Sequence, residues 1–207
     1  MILPAGSAWS KVQMYRFCCA SRTRREAIRG SGLAWYLSTK GDNLVVDIRL
    51  AESPGDLAIV RQLWGEYWES LGLPMDFQGF GDELKSLPGV YGAEGGALLV
   101  AFDSSEPAGT IALRRLDAKS GEVKRLYLRP KFRGRGLGRR LLETVIDRAN
   151  AVPYECLYAD TLPSMMEALS LYQRSGFERV EAYSNTPTAG ATGLTIFPLS
   201  ALSIFSS

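Results

Sequence analysis

The chain has no histidine among its 207 residues, and that absence removes a large share of enzyme chemistry. No Ser-His-Asp or Cys-His nucleophile pair can be built, and no zinc can be held by imidazole. Acid–base work falls to Glu, Asp, Tyr, Lys, Cys or water. Cysteine is scarce as well. Cys18, Cys19 and Cys156 have neither metal-ligand spacing nor the density of a disulfide framework. A reducing, cytoplasmic setting fits, with Cys156 read as a small buried apolar residue. No apolar run reaches the length of about 18 that a membrane span needs, so none is expected. A net charge of +2 is too small to argue for nucleic acid as a partner.

Acid is what the first 43 residues lack. Lys11, Arg16, Arg22, Arg24, Arg25, Arg29 and Lys40 face only Glu26 and Asp42. An Arg-rich, Ser-rich, acid-poor stretch has the composition of an organelle transit segment, which leaves an organelle matrix open beside the cytoplasm. A disordered tail, or upstream sequence translated from a misplaced start, fits equally. The expectation is that 1–43 stands outside the fold and 44–207 forms the domain.

From Asn43 the pattern is regular. Leu44 to Ala51 is β-branched and reads as a strand. Ser53-Pro54-Gly55-Asp56 opens a helix in which Val60, Leu63, Trp64, Tyr67, Trp68 and Leu71 repeat at helical spacing, and Gly72 with Pro74 ends it. A short helix is predicted over Gly81 to Leu87. Ala97 to Phe102 and Ala108 to Arg115 read as a hairpin, and Glu122 to Arg129 as the next strand. Strict alternation there sets Glu122, Lys124, Leu126 and Leu128 on one face and Val123, Arg125 and Tyr127 on the other. A helix buries Leu137, Leu141, Leu142, Val145, Ile146 and Ala149. Tyr154 to Asp160 is a strand, and Ser164 to Ser175 a helix capped by Ser164. Strands at Phe177 to Ala182 and Leu194 to Leu199 close the chain around a turn-rich stretch from Ser184 to Gly193. The order implies an α/β fold: one mixed sheet with helices on both faces.

The most informative segment is Val123 to Ala149. Gly134, Gly136 and Gly138 sit at a strand-to-helix turn, where the helix leaves N–H groups bare and its dipole adds partial positive charge. Such a turn seats phosphate or pyrophosphate. No G-x-x-x-x-G-K-[ST] run exists, which removes the P-loop. A dinucleotide fold competes, because Asp160 lies where a ribose-binding acid belongs. Against it, the glycines run G-x-G-x-G, and Glu122, Lys124 and Arg125 make the preceding strand half-polar, unlike a buried parallel strand.

Arg133-Gly134-Arg135-Gly136-Leu137-Gly138 resembles the R/Q-x-x-G-x-G/A signature of the GCN5-related N-acetyltransferases. Ala168-Leu169-Ser170-Leu171-Tyr172-Gln173-Arg174-Ser175-Gly176-Phe177 resembles that family's A-x-x-L-Y-x-x-x-G-F motif. The likeness runs from Leu44 to Leu199 in element order and is motif-specific over Glu122 to Phe177. It implies the acyl-CoA N-acyltransferase fold, a mostly antiparallel sheet splayed between its fourth and fifth strands. It implies acetyl-CoA as co-substrate, with the pyrophosphate on the amides of Arg135, Gly136, Leu137 and Gly138 beside Gly134 and Arg139, and Arg133 supporting the loop. The pantetheine arm would pair with Leu126, Tyr127 and Leu128, with the Leu128 N–H at the oxyanion. Arg129, Lys131, Arg139 and Arg140 would screen the adenosine phosphates.

By the same resemblance Tyr172 is the acid that protonates the leaving thiolate, and Glu122 the general base. One departure is Met165, where many members carry Asn; Ser164 or the Asp160–Thr161 pair could take over its cofactor contact. The expected activity is direct acetylation of a primary amine on a small molecule. A protein N-terminal or lysine acetyltransferase is the rival within the class, and a non-catalytic acyl-CoA sensor the rival outside it. A homodimer is left open. Tyr67, Trp68 and Phe77 are core or rim of the acceptor side, and Arg114, Arg115 and Arg125 either attract an acidic acceptor or face solvent.

Overall fold

Runs of period two become strands and runs of period 3.6 become helices in the computed structural model, which describes residues 13–18, 46–72, 79–162 and 164–180. In chain order they are β1 (Gln13–Cys18), β2 (Val46–Leu50), α1 (Pro54–Leu71), α2 (Phe80–Ser86), β3 (Ala97–Asp103), β4 (Glu106–Arg115), β5 (Ser120–Leu128), α3 (Leu137–Asn150), β6 (Cys156–Thr161), α4 (Met166–Arg174) and β7 (Glu178–Val180). The expected fourth and fifth strands are therefore β5 and β6. Leu194 to Leu199, the Ser184 to Gly193 stretch and Phe77 lie outside the described residues.

The sheet order is β2-β3-β4-β5-β6-β1-β7. Only β5 and β6 run parallel; every other neighbouring pair is antiparallel. Each face carries its own core. On one side α3 and α4 pack Leu137, Leu141, Leu142, Val145, Leu169 and Tyr172 against Leu99, Ile111, Val123, Leu157 and Ala159. On the other, α1 and α2 pack Val60, Leu63, Trp64, Trp68 and Phe80 against Leu98, Val100, Ala112 and Tyr127. β3 is buried along its whole length, because both faces are covered; hence the unbroken apolar run ALLVAF rather than an alternation.

Two local devices fix α1. Ser53 Oγ accepts the Asp56 N–H at 3.0 Å at its start. At its far end the Trp68 and Phe80 rings stack with centroids 3.9 Å apart, which holds α2 against it. α4 departs from expectation: its first turn begins after Met165, with no side-chain cap from Ser164.

The larger correction concerns β1. Residues 13–18 belong to the sheet, against the expectation that 1–43 stands apart. They pair with β6 from Gln13↔Thr161 to Cys18↔Cys156 and with β7 on the opposite edge. Tyr15 and Phe17, 2% and 7% exposed, turn into the α3–α4 core. The Phe17 ring lies 5.3 Å from that of Phe177, and Tyr15 lies 6.2 Å from Tyr172. The physical reason is twofold: β6 gains a partner along its outer edge, and two large rings find cover. Phe17→Ala is therefore expected to cost about 3–5 kcal/mol of stability, as for other buried aromatics cut to alanine. Urea denaturation measures it; an unchanged midpoint would put β1 outside the folded unit.

Candidate active site

The site begins with a break in pairing. β5 and β6 run in parallel register from Ser120↔Cys156 to Val123↔Ala159 and stop there, although β5 continues to Leu128. The strand is also irregular just there on its opposite edge. Thr110 faces Tyr127 and Ala112 faces Lys124, so Arg125 and Leu126 together oppose Ile111. This is a β-bulge, which bends and twists the strand that carries it. Arg125 sits at φ 57°, a left-handed conformation that a long side chain takes up only under constraint.

The constraint is visible. The Arg125 guanidinium pairs with Glu83 through both of its carboxylate oxygens and lies 5.1–5.8 Å from the ring centres of Trp64, Trp68 and Phe80. Tyr91 donates its hydroxyl to the same carboxylate. A buried guanidinium needs such a partner, and the aromatic faces add cation–π attraction.

The bulge also corrects the expected faces of β5. Lys124 and Arg125 fall on the same side, so Glu122, Lys124, Arg125 and Tyr127 face α1. Val123, Leu126 and Leu128 face α3 and pack on its core. Arg129 donates its N–H to Ala108 O on β4 at 3.0 Å. By alternation, Leu126 and Leu128 aim their main-chain groups into the gap. The Leu128 carbonyl there accepts from Arg133 Nε at 3.0 Å, which ties the loop to the strand.

Above the gap, Gly134 and Gly136 have φ 74° and 78°, and an added Cβ would meet nothing within 4 Å at either. Glycine is needed for the backbone path, and the space over it is open. Gly136 starts α3 with no side-chain cap and no acid in the first turn. The N–H groups of Leu137, Gly138 and Arg139 therefore face outward without a helical acceptor, as an anion site requires.

Most nearby cations are committed elsewhere. Arg129 grips Glu66 at 2.7 and 2.8 Å, which holds that carboxyl below its ordinary range. Lys131 pairs with Glu106, Arg135 with Asp103 at 2.8 Å and Arg139 with Glu143 at 2.9 Å. Of the four basic side chains expected to screen phosphates, Arg140 alone has no carboxylate partner among the described residues, while Arg133 is spent on the Leu128 carbonyl.

On the α1 side of the gap the expected base is enclosed. Glu122 has no exposed surface; Arg114 Nε stands 2.5 Å from one oxygen and Lys124 Nζ 3.5 Å from the other. Glu122 Oε1 is buried without a hydrogen-bond partner. Asp160, at the end of β6, shares that face but keeps a fifth of its side chain exposed, with Lys124 Nζ 3.9 Å away. Tyr67 from α1 stands over the same spot, its hydroxyl 4.0 Å from Met165 Sδ. Burial pushes the Tyr67 phenol up to about 12. Tyr172 comes from the opposite core, its ring 5.2 Å from Phe177. Burial, with added repulsion from Tyr67 and Asp160, raises its phenol well above the ordinary value. Sequence reasoning weighed Asp160 only for a ribose or a cofactor contact. Its true neighbours follow from the β5 bulge, for which no local sequence signal exists.

The acetyltransferase (GNAT) family model matches residues 58–177, more than half of the chain. An uncharacterised N-acetyltransferase of Schizosaccharomyces pombe is 33% identical over 144 residues, covering 69% of this chain and 88% of that protein. An acetyltransferase from Streptococcus agalactiae superposes with a TM-score of 0.57 at 26% identity, over 74% of this chain and 92% of that one. The aminoglycoside N-acetyltransferase AAC(6')-Iy, solved with CoA, superposes with a TM-score of 0.56 at 21% identity, over 71% and 95%. If the glycine turn carries the pyrophosphate, Gly136→Val should weaken acetyl-CoA binding about tenfold or more, since a β-branched residue is an outlier at positive φ. Calorimetry on folded protein reads this directly; equal affinity would separate the turn from the ligand.

Proposed function

Because the chain belongs to the acetyltransferase (GNAT) family and is an acetyl-CoA-dependent N-acetyltransferase, we propose that its acceptor is the primary amine of a small molecule. In this reading the amine attacks directly, Asp160 receives its proton, and Tyr172 protonates the departing thiolate. The observation that carries it is Asp160 at the β6 end of the β5–β6 gap, a carboxylate partly exposed with Lys124 Nζ 3.9 Å away, on the side walled by Tyr67 and Met165.

The thioester supplies the acetyl group, and the protein's own groups do the rest. The main-chain amides at Leu126 and Leu128 are aimed into the gap, where a donor can meet the developing oxyanion. Glu122, expected as the base, holds Lys124 by its shorter contact and leaves Asp160 the accessible carboxylate on that face. Tyr172 stays protonated because its surroundings disfavour the phenolate, and the same dry surroundings raise the basicity of the thiolate it meets. Cys156 lies on β6 away from this cluster, and no histidine exists to activate a nucleophile, which supports direct transfer.

A small acceptor is supported by the wall around the gap. Tyr67 and Tyr127, ring centres 5.7 Å apart, close the α1 side together with Met165. The same fold serves an aminoglycoside acetyltransferase. A thiol-release screen with acetyl-CoA across amino acids, polyamines, aminoglycosides and short peptides tests the reading; turnover confined to peptides would overturn it. Tyr172→Phe is expected to lower kcat about 10²–10⁴-fold with KM for acetyl-CoA little changed, the usual range for losing a positioned acid. Because burial raises the Tyr172 phenol, wild-type kcat should show no loss on the alkaline side at the ordinary phenol value near 10. A pH–rate profile checks the sign: a fall near pH 10 that vanishes in Tyr172→Phe would contradict it.

A further inference from the structure

We propose that Cys18 and Cys156 form a reversible disulfide that staples β1 to the sheet. The two residues lie far apart in the chain, so their spacing carries no signal. The register reveals them: they are direct partners at the end of the antiparallel β1–β6 ladder. Their sulfur atoms stand 3.7 Å apart, and each side chain is only half-buried. Directly opposed strand residues have Cα separations of about 4.5–5.5 Å, within the range that a disulfide spans. Closing the bond to the usual length of about 2.0 Å needs a shift of less than 2 Å, which rotation about the two Cα–Cβ bonds can share with a small approach of the strands.

The position gives the bond a job. β1 is joined to the rest of the described structure by its ladders to β6 and β7 and by the burial of Tyr15 and Phe17. Tyr15 packs on Tyr172, so the hold on β1 is also a hold on one wall of that tyrosine. A bond from 18 to 156 encloses most of the domain in one covalent loop, the situation in which a cross-link restricts the unfolded chain most.

The chemistry balances with a low-molecular-weight disulfide as oxidant. One cysteine, as thiolate, attacks oxidised glutathione and forms a mixed disulfide, releasing one glutathione thiolate. The second cysteine, as thiolate, then displaces the other glutathione and closes the Sγ–Sγ bond. Two cysteine protons are given up, and glutathione disulfide is reduced by two electrons to two glutathiones. Excess thiol reverses the sequence.

The test uses the full chain, incubated with oxidised glutathione, alkylated and digested without reduction. Mass spectrometry should find the tryptic peptide of residues 17–22 joined to that of residues 149–174. Cys19→Ser should keep the cross-link, and Cys18→Ser or Cys156→Ser should each abolish it. Oxidation should raise Tm by about 5–10 °C in the parent and in Cys19→Ser, with no rise in the other two. If either serine variant folds poorly, the alanine variant at that site serves the same control. A cross-link through Cys19, glutathione adducts without a cross-link, or only intermolecular dimers would each overturn the proposal.

Discussion

The bulge at Arg125 is the constraint on which the site depends. A strand paired on both edges has no main chain to spare, and β5 has some because its pairing with β6 ends at Val123. Its bulge puts a residue in a costly conformation, and a costly conformation persists only where its surroundings over-determine it. Here they do so with a buried ion pair to Glu83 and three aromatic rings. Removing one member of such a pair typically costs about 3–5 kcal/mol, because the other charge is left buried alone. The helices α1 and α2 therefore do more than cover the sheet: they hold the bulge of β5 in place.

The phosphate end of the site is built by a different logic. The turn after β5 has no bulky side chain to clamp it, and it is fixed through its neighbours. Arg133 reaches back to the end of β5, Arg135 reaches across to Asp103 on β3, and Arg129 anchors the strand to α1 through Glu66. Three arginines of this basic stretch thus act as struts. What the turn leaves open is main chain, so an anion seated there would depend on the glycines more than on the local charge.

Much of this was legible in the sequence, and the failures share a cause. The helices were readable because their apolar period, caps and stops are local. The glycine turn and the tyrosine motif were readable because each is contiguous. β1 was not, since six residues within a basic, acid-poor stretch carry too short an alternation, and only the unpaired edge of β6 shows why they fold. The bulge was not, because arginine at positive φ leaves no trace in composition, and one inserted residue reversed the faces of Leu126 and Tyr127. The enclosure of Glu122 was not, because it depends on the β4–β5 register that sets Arg114 opposite it. In each case the missing information was a pairing between distant residues.

The gap has an electrostatic consequence of its own. A continuous sheet screens one face from the other with layers of side chain and amide, yet here Tyr172, rooted in one core, feels the charge of Asp160 on the opposite face. A cation arriving beside Asp160 would offset that charge and make the phenol across the gap a better proton donor. If Asp160 marks the acceptor seat and Tyr172 is the acid, occupancy of that seat is in this way wired to the proton donor, with no moving part between them.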